Sequence, residues 1–371
     1  MPPVRFQRPQ LPPAERIERY LSRSREARWF SNNGPCARAL RARLGEYVAP
    51  GTHVTLTANA TLAIMVALRA ALDRAGGRAG TVLVPSFTFV ATVNAICWCG
   101  LEPRFVDVGA DDWHLDPDAL DRALAADEVV AVLACSTFGA APSVTTAAAW
   151  SRACAARGVP LIVDSAPGFG SVADDGAPLG TRGDAEIFSF HATKPFAIGE
   201  GGAVTTTDGD LGERIDRLIN FDFDADRRVR GPLGLNAKMS EVHAAIGLAV
   251  LDGFADVLAS RRAHASDVRR AIEPAGFRFQ AGAAGSSWQF VPVLAPDEPT
   301  RDAVLAAAPR HEVEIRTYHE PLHHTPAFAG AATSGTLETT ERLSRRALSL
   351  PLANDLGAEE RQRVVDAVLA P

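Results

Sequence analysis

Lysine is what this sequence has least of. Of its 38 basic residues only Lys194 and Lys238 are lysines, and all the others are arginine. A guanidinium stays protonated and cannot condense with a carbonyl, so a lysine kept in so arginine-biased a chain draws attention as an amine. Cysteine is also scarce. Cys36, Cys97, Cys99, Cys135 and Cys154 are odd in number and lie in apolar, alanine-rich surroundings. Cys97 and Cys99 flank Trp98 at a spacing unlike a zinc knuckle, so neither disulfides nor a metal centre is expected. No apolar run reaches transmembrane length, since Arg and Asp interrupt every candidate. The first residues, Met1 to Arg5, lack the apolar core of a signal peptide, which makes the cytoplasm the expected compartment and a membrane partner unexpected. A net charge of -6 leaves no basic footprint for nucleic acid. The fingerprints G-x-G-x-x-G after the first strand and G-x-x-x-x-G-K-S/T are absent too.

What is present is ordinary globular material. The 371 residues, 47% of them hydrophobic, suffice for a large core and suggest two units. The expected division is a large unit over residues 1–240, with an N-terminal arm over 1–35, and a smaller α+β unit over 241–371 joined through a long helix. Five prolines within residues 1–15 predict an extended run over the surface. Between 54 and 207, apolar runs such as Val129 to Ala134 and Leu161 to Val163 alternate with helical stretches. That pattern predicts buried parallel strands under crossover helices, an α/β fold with helices on both sheet faces. In such folds ligand residues gather at the carboxyl ends of strands, and Asp164 stands at one.

Lys194 lies in Phe188-Ser189-Phe190-His191-Ala192-Thr193-Lys194-Pro195, between two expected strands turned by Gly199-Glu200-Gly201-Gly202. Desolvation among small and apolar residues lowers an amine's pKa and makes it nucleophilic; a surface lysine at a strand end is the plainer reading. Asn59-Ala60-Thr61 opens a helix, where small polar residues cap free N–H groups and the same groups can hold a phosphate. Asn33, in the turn Ser31 to Pro35, sits in a loop that could line a site. A pyridoxal-phosphate site needs a lysine, a carboxylate for the pyridine nitrogen, donors for a phosphate and a flat group against the ring. Lys194, Asp164, Thr61 with Ser189, and Phe89 meet those needs.

These stretches, together with Pro85 to Thr92, Phe105 to Val108, Gly234 to Glu241 and Leu348 to Leu352, resemble the DegT-type sugar aminotransferases, in the same order along nearly the whole chain. The resemblance implies a fold-type-I transferase dependent on pyridoxal 5'-phosphate, with a mostly parallel central sheet and a smaller C-terminal α+β domain. It implies that Lys194 holds the cofactor and moves the proton, that Asp164 pairs with the ring nitrogen and that Phe89 stacks on the ring. Ala60, Thr61 and Ser189 would hold the phosphate. Asn236 would reach the cofactor of a second subunit, in a homodimer with shared sites. It further implies glutamate as amino donor and a nucleotide-linked keto-6-deoxy sugar as acceptor. The Gly234 to Glu241 stretch looks most like transaminases acting at carbon 4 of dTDP-4-keto-6-deoxyglucose. Amination at carbon 3 and a non-catalytic binding subunit are the alternatives. Some relatives carry histidine for the lysine and are dehydratases; Lys194 argues for transamination. Pro167 departs from the pattern, standing where many members have Gln or His.

Candidate substrate contacts are Asn33, Arg227, Arg230, Lys238, Tyr318 and His323. Arg227 and Arg230 fit a nucleoside diphosphate, but fit equally a solvated patch balanced by Asp222, Asp224 and Asp226. His319, His323 and His324 could suggest a metal. Pro321 interrupts their helical spacing and no carboxylate pattern accompanies them; the resemblance implies a tyrosine and a histidine of this region near the sugar, which makes a substrate contact the better reading.

Overall fold

The structure, a computed structural model, describes residues 2–77, 79–126 and 128–370. Among the described residues there are ten strands: β1 His53–Thr57, β2 Thr81–Pro85, β3 Glu102–Val106, β4 Val129–Cys135, β5 Leu161–Asp164, β6 Ala185–Ser189, β7 Gly202–Thr206, β8 Val291–Leu294, β9 Ala332–Thr333 and β10 Ala347–Leu350. Eight form one sheet in the order β1-β7-β6-β5-β4-β2-β3-β9. From β6 to β9 every pairing is parallel, whereas β7 runs antiparallel to both β6 and β1. The expected α/β architecture is therefore observed. Strand β4, Val-Val-Ala-Val-Leu-Ala-Cys, is buried along its whole length, as strands covered by helices on both faces must be. The helix Ala60–Arg74 packs Ala63, Ile64, Ala67 and Leu68 into the core beneath this sheet.

A second, two-stranded sheet pairs β8 with β10 antiparallel. The helices Phe254–Ile272 and Ala358–Leu369 share its apolar core. The helix Glu241–Leu251, expected in the second unit, packs instead with the helices Ala14–Glu26 and Pro35–Val48 of the first. It meets Phe254–Ile272 at a 62° bend. No single helix among the described residues is long and apolar enough to cross a membrane.

Two expectations about local structure need correction. The N-terminal arm does not simply run over the surface. Val4 bridges Val313 in parallel, and Val4 and Phe6 are fully buried. Phe6 packs against Phe290 and Tyr318 at centroid distances of 5.3 and 5.6 Å. The prolines leave two apolar side chains free to pair with the second unit, and their burial decides the path. Residues 312–317, whose alternating Val313 and Ile315 predict a strand, make only isolated bridges at Val313 and Arg316. The five cysteines are free, as expected, although Cys97 is exposed.

Candidate active site

Parallel strands whose carboxyl ends lie side by side bring distant residues to one edge of the sheet. Cys135 at the end of β4 is in register with Asp164 at the end of β5. Ser189 ends β6, opposite Gly202 at the start of β7. Gly202 also faces Thr57, and three residues after Thr57 the helix Ala60–Arg74 begins. A Cβ on Gly202 would lie 2.8 Å from the Ala60 nitrogen, so glycine is what lets the helix start approach the sheet edge. The Asn59 side chain accepts from the Leu62 N–H at 2.9 Å, and Asn59 O accepts from Ala63 N–H. The first two helical N–H groups, of Ala60 and Thr61, have no intrahelical acceptor and point out of the helix end. Phe89 ends the turn after β2 with its ring 58% exposed.

Asp164 is buried. Its Oδ2 accepts from Thr92 Oγ1 at 2.7 Å and its Oδ1 from the Ala166 N–H at 3.0 Å. Thr88 Oγ1 lies 3.2 Å from both Thr92 Oγ1 and Cys135 Sγ, which extends the network. Burial raises the Asp164 pKa, opposed by the two hydrogen bonds and more weakly by Lys194. Neutral donors alone surround this carboxylate at hydrogen-bond distance, so a cation beside it would relieve a real desolvation cost.

Lys194 follows β6 in the loop that returns to β7, held by Lys194 N–H to His191 O and Ala192 N–H to Gly199 O. Its Nζ donates to Gln289 Oε1 at 2.9 Å. Burial pushes its pKa down to about 8, with the Asp164 charge pulling the other way. Gln289 is held from behind. Arg261, itself buried, donates Nη1–H bonds to Trp288 O and Gln289 O at 2.7 and 3.2 Å and an Nε–H bond to Asn354 Oδ1 at 2.6 Å. A cavity of about 20 Å³ behind Lys194 is closed by Phe6 to Gln10 and Arg261, room for about one water and no substrate.

Of the other expected residues, Ser189 is buried and its Oγ accepts from His191 N–H at 3.3 Å. Asn236 is exposed on a segment that bridges Asn220, beside Lys238, which bridges Thr57. Lys238 Nζ lies 4.6 Å from the Phe221 centroid with no hydrogen-bond partner, and burial lowers its pKa. Arg230 sits 3.5 Å from Asp224, and Arg227 lies over Phe223, as in a balanced loop patch. Asn33 is exposed, its carbonyl accepting from Arg38. Tyr318 OH accepts from Arg316 at 2.9 Å. His323 is engaged elsewhere, with Ser86 and Glu341. The histidine beside Lys194 is His319, whose ring stacks on Phe138 at 5.0 Å. Burial and the Lys194 charge push its pKa down to about 3, so it is neutral at any ordinary pH. Thr92 and Gln289 were not singled out from the sequence, and His319 was named only as one of three clustered histidines. Thr92 lay inside a quoted motif, whereas nothing local marks Gln289.

A buried carboxylate without a cation, a depressed lysine amine, and a helix start drawn against the sheet edge fit pyridoxal phosphate. Fold and site together are those of a fold-type-I pyridoxal-phosphate-dependent aminotransferase. The model of the DegT/DnrJ/EryC1/StrS aminotransferase family matches residues 13–369, and the chain belongs to that family. Protein Rv3402c of Mycobacterium tuberculosis is 38% identical, over 99% of this chain and 90% of its own length. The dTDP-4-amino-4,6-dideoxy-D-glucose transaminase of Shigella dysenteriae is 29% identical, over 99% and 98%. The crystal structure of DesI in the presence of its TDP-sugar product superposes with a TM-score of 0.88, at 34% identity over 100% of this chain and 94% of that one. The enzymes of this family are sugar aminotransferases that use pyridoxal phosphate.

Proposed function

We propose that this aminotransferase moves an amino group from glutamate to a nucleotide-linked keto-6-deoxy sugar, with carbon 4 of dTDP-4-keto-6-deoxyglucose as the acceptor. The observation that carries the chemistry is the Lys194 amine, depressed to about 8 near a buried Asp164 that no cation neutralises at hydrogen-bond distance. The choice of sugar is supported by the transaminase of Shigella dysenteriae and by DesI with its TDP-sugar product.

The cofactor, when bound, supplies an electron sink for the substrate carbon that loses its proton. Lys194 Nζ would hold the cofactor and would take and return that proton; an amine whose pKa burial lowers to about 8 serves both directions. Asp164 would pair with the ring nitrogen, and Thr92 and the Ala166 N–H donate to its carboxylate and oppose the rise that burial imposes on its pKa. The Ala60 and Thr61 N–H groups, Thr61 Oγ1 and Ser189 Oγ receive the phosphate at a helix N-terminus. Phe89 offers its exposed ring to the cofactor's face. Tyr318 and the neutral His319 are the proposed sugar contacts, and Asn33, Arg227 and Lys238 the proposed nucleotide contacts. Asn236 serves the site of a second copy. Support for two copies comes from large apolar side chains left open on one chain: Trp29 is 46% exposed, Phe30 51%, Phe221 43% and Val242 41%.

Purified protein should carry the visible absorption of a lysine-bound cofactor, and borohydride should fix the cofactor to Lys194. Incubation with glutamate and a panel of 4-keto and 3-keto sugar nucleotides, read by NMR of the product, tests the rest. Amination at carbon 4 is expected. A product aminated at carbon 3, or none from any keto sugar, overturns the substrate assignment.

A further inference from the structure

We propose that His323, His324 and Glu341 form a binding site for one zinc-class divalent cation, outside the catalytic centre. The sequence showed no carboxylate to accompany these histidines. The fold supplies one, from the helix Glu338–Ser344. His323 Nε2 and His324 Nε2 approach the same oxygen, Glu341 Oε1, at 2.9 and 2.6 Å. All three ligand atoms lie within 4.8 Å of one another.

Two imidazoles and a carboxylate with an open fourth position make a ligand set suited to Zn²⁺ and its neighbours. Tetrahedral ligands about 2.1 Å from zinc stand roughly 3.4 Å apart, so binding requires the cluster to open by roughly 0.5–0.8 Å. His324 is 48% exposed and can move, whereas His323 is 15% exposed and fixed. The fixing group is Ser86, fully buried at the end of β2. Its Oγ accepts from the His323 N–H at 3.1 Å and lies 2.7 Å from His323 Nδ1. With Nδ1–H donating to Ser86, the Nε2 lone pair faces Glu341, which is the orienting contact that ligating histidines usually have. An open cleft of about 390 Å³, lined by His323, Glu338, Glu341 and Arg345, adjoins the cluster and gives a water its place in the fourth position.

A bound ion ties three pieces of chain together: the turn Leu322–His324, the helix Glu338–Ser344 and, through Ser86, the end of β2. Ser86 stands three residues before Phe89, so the site clamps the turn that presents that ring. The ion is structural and takes no part in the reaction.

The test uses the cofactor-loaded protein, freed of metal with a chelator and dialysed against Zn²⁺ or Co²⁺. Wild type should bind one ion per chain more than the double variant His324→Gln, Glu341→Gln. The Co²⁺ form should show the intense visible bands of a four-coordinate N/O site, and Zn²⁺ should raise the unfolding midpoint. Ser86→Ala should weaken binding by about 10–100-fold. His324→Gln alone should remove the stoichiometric ion while leaving the cofactor absorption intact; its half-exposed side chain makes misfolding no explanation. Equal metal content in wild type and His324→Gln, or an unchanged midpoint at saturating Zn²⁺, overturns the proposal.

Discussion

Lys194 is where one residue feels two opposed forces. Burial disfavours its charge, Asp164 favours it, and burial wins, leaving the pKa at about 8 against an ordinary 10.5. Between those values the unfolded chain binds more protons than the folded one. The folded state of the cofactor-free protein therefore gains stability as pH rises through that window, and Lys194→Met should abolish the gain. Unfolding midpoints of the two proteins measured from pH 7 to pH 10 check this. Asp164→Asn removes a buried charge that lacks a cation. The cofactor-free variant should be at least as stable as wild type, yet lose about 3–5 kcal/mol of the stabilisation that the cofactor confers; thermal shifts with and without cofactor measure both. Thr92→Val should cost about 1–3 kcal/mol of the same stabilisation by taking a donor from Asp164. Lys194 and Asp164 could be read from the sequence because their chemistry admits few other residues. Thr92 lies 72 residues from its aspartate and Gln289 lies 95 from its lysine. Threonine and glutamine are common, and only the folded chain shows what they touch.

At the level of elements, the helix start at Asn59 left capping and phosphate binding open. The structure meets the cap with Asn59 and so leaves the Ala60 and Thr61 N–H groups free. Gly202 sets how near that helix end comes to β7. Gly202→Ala should push it away and weaken cofactor binding, with a stability loss of about 1–3 kcal/mol from overpacking. Gly209→Ala, where nothing lies within 4 Å of the added methyl, is the matched control and should leave both unchanged. Cofactor titration by absorbance and a denaturant midpoint read the pair. The strand–helix alternation was legible because buried parallel strands are continuous apolar runs. Strands β9 and β10 were not, since two and four residues carry too little periodicity to register.

Across the whole molecule, a single carboxylate joins distant parts. Glu241 is fully buried and accepts from Gly34 N–H, Cys36 N–H, Ala37 N–H and Ser24 Oγ at 2.7–2.9 Å. It thereby caps the helix Pro35–Val48 from another helix. Glu241→Gln replaces an acceptor with donors there and should cost about 3 kcal/mol or more, seen as a lower unfolding midpoint. From the sequence, Ser31 to Pro35 read as a turn; its acceptor lies over 200 residues away, beyond any local pattern. The proposed sharing of sites between two copies makes a further expectation. Lys194→Ala and Asn236→Ala, each inactive alone, should regain activity when co-expressed, because a mixed dimer has one site free of both changes. Activity that stays at background in purified mixed dimers would refute the sharing.

The pairing of Val4 with Val313 has a consequence for how the protein is made. Val4 lacks this partner until the chain has been made as far as Val313. Phe6 waits likewise for Phe290 and Tyr318, and the stretch it leads, through Gln10, is what shuts the space behind Lys194. A nascent or truncated chain can thus hold strands β1 to β7 and their helices and still lack the back wall of the catalytic lysine. Arrival of the second unit, rather than formation of strands β1 to β7, is the moment the lysine acquires its surroundings.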